Sequence, residues 1–276
     1  MDGVLLIRKE AEMTSHDVVA RLRHILKTKK IGHSGTLDPN ATGVLLVLIG
    51  RACKVLPFLE DTDKEYIAEL ELGKQTLGDD IWSEVLAEKE ITPIIDLQAL
   101  LHTFLGKQKQ LPPMLSSIKV NGKKLYEYAR NKEAVEVPMR DVTFYELEVL
   151  DEESMRFRVA CSSGTYIRSL CRDVAQASGN LGCMKSLVRT KVGRFSLADC
   201  VTLEDVEAGH FSLHSVVEVL AHLPQITYEP MKDIYNGKHV RLDCKEDRAV
   251  IMDHLEAVAI YERDHGNVFR CVRGLW

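Results

Sequence analysis

Residues Gly32-His33-Ser34-Gly35-Thr36-Leu37-Asp38-Pro39-Asn40-Ala41-Thr42-Gly43 gather three glycines, two threonines, an imidazole and a carboxylate in one short stretch. Glycines let a backbone approach a ligand or turn where a Cβ would clash, and Asp-Pro punctuates a turn. The run Val44-Leu45-Leu46-Val47-Leu48-Ile49 that follows must be buried, so Asp38 belongs at the mouth of a cleft. A carboxylate held there can serve as a nucleophile or a base. On the loop alone, a tight turn in which Asp38 satisfies its own backbone is slightly the better reading. A phosphate cradle fails, because no Gly-Lys-Ser/Thr follows.

Three further stretches narrow the choice. Lys64-Glu65-Tyr66 precedes Leu72-Gly73. Leu111-Pro112-Pro113-Met114-Leu115-Ser116-Ser117-Ile118-Lys119-Val120-Asn121-Gly122 runs into Leu125-Tyr126-Glu127-Tyr128-Ala129-Arg130. Cys161-Ser162-Ser163-Gly164-Thr165-Tyr166-Ile167-Arg168-Ser169-Leu170 lies beyond. With the Asp38 loop, these resemble in order the aspartate, tyrosine, insertion and arginine motifs of the TruB family of tRNA pseudouridine synthases, over roughly residues 1 to 200.

The resemblance implies isomerisation of the T-loop uridine (position 55) of tRNA to pseudouridine. The bond from ribose C1′ to N1 breaks, the base rotates, and it rejoins through C5. Nothing is oxidised or hydrolysed, so neither cofactor nor metal is implied. Asp38 is the implied carboxylate at C1′, as nucleophile or as the base that forms a glycal. Arg168 is implied to pair with that carboxylate and keep it ionised against burial. Tyr66 is implied to stack on the base and assist proton removal at C5. The uridine must leave its stack, at a cost of roughly a few kcal/mol. His33 is implied to fill the vacated space. Lys9, Leu187, Lys119, Tyr126 and Arg130 are the other implied substrate contacts. Asp80 matches a family acid, but Gly78 and Ser83 stand where threonine and glycine are usual, so no catalytic role is assigned to that segment.

Two other classes compete. A retaining glycosidase or nucleoside hydrolase would pair Asp38 with a second carboxylate about 5–5.5 Å away, whereas the motif partner is an arginine. A non-catalytic tRNA-binding or folding protein would keep the basic segments without needing Asp38.

The elements that position these groups can be read from periodicity. Residues 3–7 read as a buried strand leading to Lys9, where Glu10-Ala11-Glu12 replaces the family's usual Pro-x-Gly. Ser15 is expected to cap a helix packed through Val18, Val19, Leu22, Ile25 and Leu26. A helix is expected from Arg51 to Glu60, ending in Asp61-Thr62-Asp63. Tyr66, Ala68, Leu70 and Leu72 alternate with Glu65, Ile67, Glu69 and Glu71, the period of a half-buried strand. A helix is expected over 92–105, including Ile95 and ending at Gly106. Residues 107–140 read as a strand-and-loop insertion, which the resemblance makes a clamp on the RNA stem-loop. Met155, Phe157, Val159 and Cys161 form a strand, and Thr165 is placed to cap the helix carrying Arg168. Residues 198–221 read as helical and acidic, and Pro224 marks a linker. Short strands then follow, with Asn236-Gly237 as a turn signal, and this stretch resembles a PUA-like RNA-binding domain.

The expected fold is therefore α+β. A mixed, largely antiparallel central sheet flanked by helices spans 1–224, and a small β-rich domain spans 225–276. The length of 276 residues suits such a division. Seven cysteines, odd in number and never spaced Cys-x-x-Cys, argue against a disulfide framework or a zinc ribbon and fit a reducing cytoplasm. There is no apolar run long enough for a membrane span and no basic N-terminus for export. A monomer without a small-molecule cofactor is expected. The net charge of −5 sits awkwardly with RNA, but basic residues cluster at 21–30, 107–124 and 185–194, and acids at 60–90 and 204–218. Segregated cations can track phosphates on an acidic chain.

Overall fold

A computed structural model describes residues 1–59 and 62–276. The end of the helix expected from Arg51 to Glu60, and the start of its acidic turn at Asp61, lie outside the described residues. Two compact units are present, one from Met1–Pro39, Gly43–Asp61 and Phe195–Trp276, the other from Asn40–Thr42 and Thr62–Arg194.

The first unit opens with β1 (Gly3–Lys9), α1 (Ser15–Ile25), β2 (Ile31–Ser34) and β3 (Thr42–Ile49). Both β1 and β2 pair antiparallel with β3. Every residue from Val44 to Ile49 is buried, which is why this strand reads as a continuous apolar run rather than an alternation. α1 packs Val18, Val19 and Leu22 against Leu5, Ile7, Leu45 and Val47. Its cap is Thr14, not Ser15. The Thr14 hydroxyl and N–H both donate to Asp17 Oδ2, and Asp17 N–H donates back to Thr14 Oγ1. Beyond β3, the expected single helix is instead a 3-10 turn (Gly50–Val55) followed by α2 (Leu56–Leu59).

The second unit carries β4 (Lys64–Leu72), β5 (Lys74–Thr76), β6 (Val85–Glu88), α3 (Leu97–His102), β7 (Gly106–Gln110), β8 (Lys119–Val120), β9 (Lys123–Lys124), α4 (Leu125–Arg130), β10 (Arg140–Asp151), β11 (Arg156–Cys161), α5 (Ile167–Ala177) and β12 (Gly182–Val192). Its sheet runs β12-β4-β11-β10-β7, antiparallel throughout. The α3 helix is shorter than expected because Asp96 caps it by accepting from Ala99 N–H, and Ile95 is left fully exposed. Thr165 does not cap α5. Its hydroxyl donates to Ser162 O, and Tyr166 is the N-cap residue.

β4 shows the expected alternation. Tyr66, Ala68 and Leu70 are buried, and the glutamates face outward. On that outer face Arg158 donates to Glu65 (3.1 Å), Glu146 (2.8 Å) and Glu148 (2.7 Å), while Lys191 pairs with Glu65 at 3.0 Å. Lys185 lies 4.0 Å from both Glu69 and Glu71.

The chain then returns to the first unit through β13 (Phe195–Ser196) and the short helices α6 (Leu203–Glu207) and α7 (Val216–Val219). Residues 225–276 form β14 (Gln225–Thr227), α8 (Met231–Tyr235), β15 (Val240–Arg241), β16 (Arg248–Asp253), β17 (Glu256–His265) and β18 (Val268–Gly274). Their sheet, ordered β14-β16-β17-β18-β15, encloses its own core of Ile234, Ile251, Tyr261 and Phe269. Asn236-Gly237 is not a strand turn. Asn236 is the C-cap of α8, and Gly237 follows at a φ of 64°, the left-handed position that ends a helix.

Candidate active site

In the first unit, the backbone on both sides of Asp38 is fastened by buried side chains. The hydroxyl of Ser15, the first residue of α1, accepts from Leu37 N–H at 3.0 Å and donates to Leu37 O at 3.3 Å. The Lys9 ammonium donates to Glu10 O (2.8 Å), Met13 O (2.6 Å) and Pro39 O (2.9 Å). Asp38 is thus half-buried between two gripped neighbours. His33 lies on β2, opposite Val47 of β3.

Lys9 is 0% exposed, so a direct contact with RNA does not fit its position. Its geometry is that of a brace tying the turn after β1 to the Asp38 loop. Replacing it by methionine keeps the length and removes the donor, leaving three carbonyls short of a partner at about 1–3 kcal/mol for each one buried. We expect Lys9→Met to lower the unfolding midpoint by several degrees. An unchanged midpoint in a thermal melt would refute the brace.

In the second unit, Tyr66 on β4 stands opposite Val159 of β11 and Arg189 of β12. Residues directly opposite in an antiparallel pair share a face, so Arg189 presents its guanidinium on the side of Tyr66. Arg189 is 1% exposed, and Leu187 on the same face lies opposite Ala68. In the sequence Arg189 reads as one of several surface cations, and only the strand register reveals its burial.

Arg168 is in the first turn of α5 and 6% exposed. Its guanidinium donates to Gly78 O (3.0 Å), Asp80 Oδ2 (3.4 Å) and Leu115 O (3.2 Å). Asp80, given no role from sequence, therefore belongs with the arginine. The two departures from the family pattern around it compensate each other. A Cβ at Gly78 would lie 2.9 Å from Leu115 Cδ1 and from Ser83 Oγ. The Ser83 hydroxyl accepts from Gly78 N–H at 2.9 Å and donates to Asp80 O at 3.0 Å, closing the turn. Asp80 Oδ1 accepts from Trp82 N–H at 3.1 Å, which aims its other oxygen at Arg168.

Next to it, Asp79 accepts from Arg172 at 2.7 Å. Burial pushes the Asp79 carboxyl up to about 6, against the pull of Arg172 and Arg168. The folded value exceeds the ordinary 3.8, so between pH 4 and 6 the folded chain holds more proton than the unfolded chain. Stability from this group is present at low pH and falls as pH rises through that window, by up to about 3 kcal/mol. Asp79→Asn should remove this contribution. Urea unfolding of both proteins from pH 4 to 7 checks it, and parallel stability curves would refute it.

Lys119, Tyr126 and Arg130 are all exposed on the module formed by the β8–β9 hairpin, turning at Asn121-Gly122, and α4. The basic segments are less free than their sequence suggests. Arg21 pairs with Glu204 at 3.0 Å, Lys109 with Asp141 at 2.9 Å and Lys123 with Glu133 at 2.6 Å. Among the described residues, Lys27, Lys29, Lys30, Lys107, Lys119 and Arg130 carry no ion pair. Among the described residues there is also no cluster of His, Cys, Asp or Glu arranged to hold a metal, and no helix is long and apolar enough to cross a membrane.

Residues 23–167 match the model of the TruB family pseudouridylate synthase N-terminal domain, and residues 168–222 match the tRNA pseudouridylate synthase B C-terminal domain. The chain is 42% identical to tRNA pseudouridine synthase B of Oceanobacillus iheyensis, over 95% of this chain and 93% of that protein. It is 42% identical to the protein of the same name from Geobacillus thermodenitrificans, over 95% and 94%. Among solved structures it resembles a chain of a Cbf5-Nop10-Gar1 complex with a TM-score of 0.76 and 25% identity, over 99% of this chain and 85% of that one.

Proposed function

This chain belongs to the TruB family of pseudouridine synthases, and we propose that it isomerises the T-loop uridine of tRNA to pseudouridine with Asp38 as the carboxylate at ribose C1′. The observation that carries the assignment of Asp38 is the double grip on its loop. Ser15 holds Leu37 and Lys9 holds Pro39, so the carboxylate is presented at a fixed place. A positioned carboxylate gains from proximity what a solvated one loses to disorder.

The carboxylate either attacks C1′ as N1 departs or removes a ribose proton to give a glycal. In both routes the base is released, turned and rejoined at C5; this breaks the carboxylate–C1′ bond in the first route, and in the second the carboxyl returns its proton to the ribose. N1 then takes a proton, C5 loses one, and the atoms balance without a co-reactant. Tyr66 stacks on the base, with Leu187 beside it, and assists the loss of the C5 proton. Arg168 supplies the cation that keeps the reacting carboxylate ionised, and His33 fills the space the uridine leaves. Lys119, Tyr126 and Arg130 contact the stem-loop, and the unpaired lysines follow its phosphates.

Residues 1–224 perform the chemistry and residues 225–276 form a PUA-like RNA-binding domain, since every motif above ends before Pro224. One copy carries all of these groups, so the enzyme acts as a monomer. Its seven free cysteines fit the cytoplasm. Incubation with unmodified tRNA should yield carbodiimide adducts that survive alkali at a single T-loop position. Bound tRNA without any adduct would overturn the reading.

A further inference from the structure

Arg168 and Arg172 lie four residues apart on α5, hence on one face of the helix. Each bridges the same two segments. Arg168 reaches Asp80 and Leu115 O, and Arg172 reaches Asp79 (2.7 Å) and Leu111 O (2.9 Å). The two arginines thus form successive rungs between the 78–80 turn and the root of the insertion at 110–115. Ser169 adds a second bond to Leu111 O at 2.8 Å. Gln110 closes a reciprocal pair with the Tyr166 backbone at 2.8 and 3.0 Å. The turn itself is tied to β12, where Met184 N–H donates to Asp79 O at 2.9 Å. Arg172 holds Asp79, Leu111 O and Asp173 at once, a span that suits a planar fork and not a single ammonium.

We propose that Arg172 is a positioning residue for the isomerisation, fixing the separation of the 78–80 turn and the insertion root and so the orientation of Arg168. The proposal rests on the role given to Arg168 above. Arg168 has to reach a carboxylate in the turn and a carbonyl in the root together, and it can do so only while the lower rung keeps them apart by the same amount. The root also leads into the module bearing Lys119, so RNA gripped by the insertion is brought into register with Arg168.

Arg172→Met and Arg172→Lys in the full chain test this with unmodified tRNA. Three quantities are read: the single-turnover rate at saturating RNA, the tRNA dissociation constant, and hydrogen exchange over 111–116 in the free protein. For Arg172→Met we expect a rate loss of about 10- to 100-fold, as for a misplacement of roughly 1 Å, with affinity held within about threefold. Exchange at 111–116 should be faster. Arg172→Lys should fall between this variant and wild type, and it decides the matter if the methionine variant does not fold. A purely structural arginine would lower the melting temperature and leave the rate intact below it. That result, or a loss confined to affinity, overturns the proposal. Wild-type protein that makes no pseudouridine on the same tRNA removes the proposed function itself. Active wild type with an undiminished variant removes only Arg172.

Discussion

Asp38→Asn is expected to make no detectable pseudouridine while still binding tRNA. The substitution is nearly isosteric. The bonds from Ser15 and Lys9 hold the backbone of Leu37 and Pro39, and the substitution leaves them in place, so the loop keeps its shape. The amide can neither attack C1′ nor act as a strong base. Asp38→Glu should fail as well, because one added methylene moves the carboxylate by about 1 Å, enough to cost on the order of 10²-fold in a positioned reaction. Thermal stability, tRNA affinity and product formation should be measured on one preparation of the asparagine variant. An aspartate that only supports the loop would lose stability and binding together, or keep its activity. Product from this protein would remove Asp38 from the chemistry.

Arg168→Lys should reduce the chemical step by about 10²-fold, comparable to a 1 Å misplacement, with tRNA affinity little changed. The charge is kept, but three acceptors in different directions are not. Gly78 O, Asp80 and Leu115 O are met by two nitrogens of a planar fork, and an ammonium offers a single nitrogen on a flexible stem. Single-turnover kinetics at saturating tRNA separates chemistry from binding. A rate near that of wild type would make Arg168 an ordinary buried residue.

The groups legible in the sequence were those whose surroundings are local. Tyr66 could be placed on the inner side of β4 because period-two alternation is a property of nine neighbouring residues. Asp80 was not legible, because its meaning depends on a guanidinium 88 residues away and on a serine whose hydroxyl replaces a missing glycine's freedom. Arg189 was hidden by its type, since only pairing with Tyr66 across the strands distinguishes it from the surface cations nearby. Lys9 was read as a substrate contact through the family resemblance, while its neighbours in space are three carbonyls that no spacing announces. Errors at element ends had a similar origin. Competing caps at Thr14 and Asp96 moved two helix starts, and Gly237 ended a helix where a hairpin was expected.

The glutamates around Arg158 bear on how a polyanion can meet this protein. Glu65, Glu69, Glu71, Glu146 and Glu148 are met by Arg158, Lys185, Lys191 and Lys74, and Arg156 stands opposite Glu69, so the charges on this surface largely cancel. Alternation along β4 puts it on the reverse of the face that carries Tyr66. A polyanion that meets the back of the sheet therefore finds its cations already engaged, and is held there less than by the unpaired lysines. Added salt should weaken the attraction to the unpaired lysines and change little at this neutralised face, so productive encounters slow without a gain at the back of the sheet.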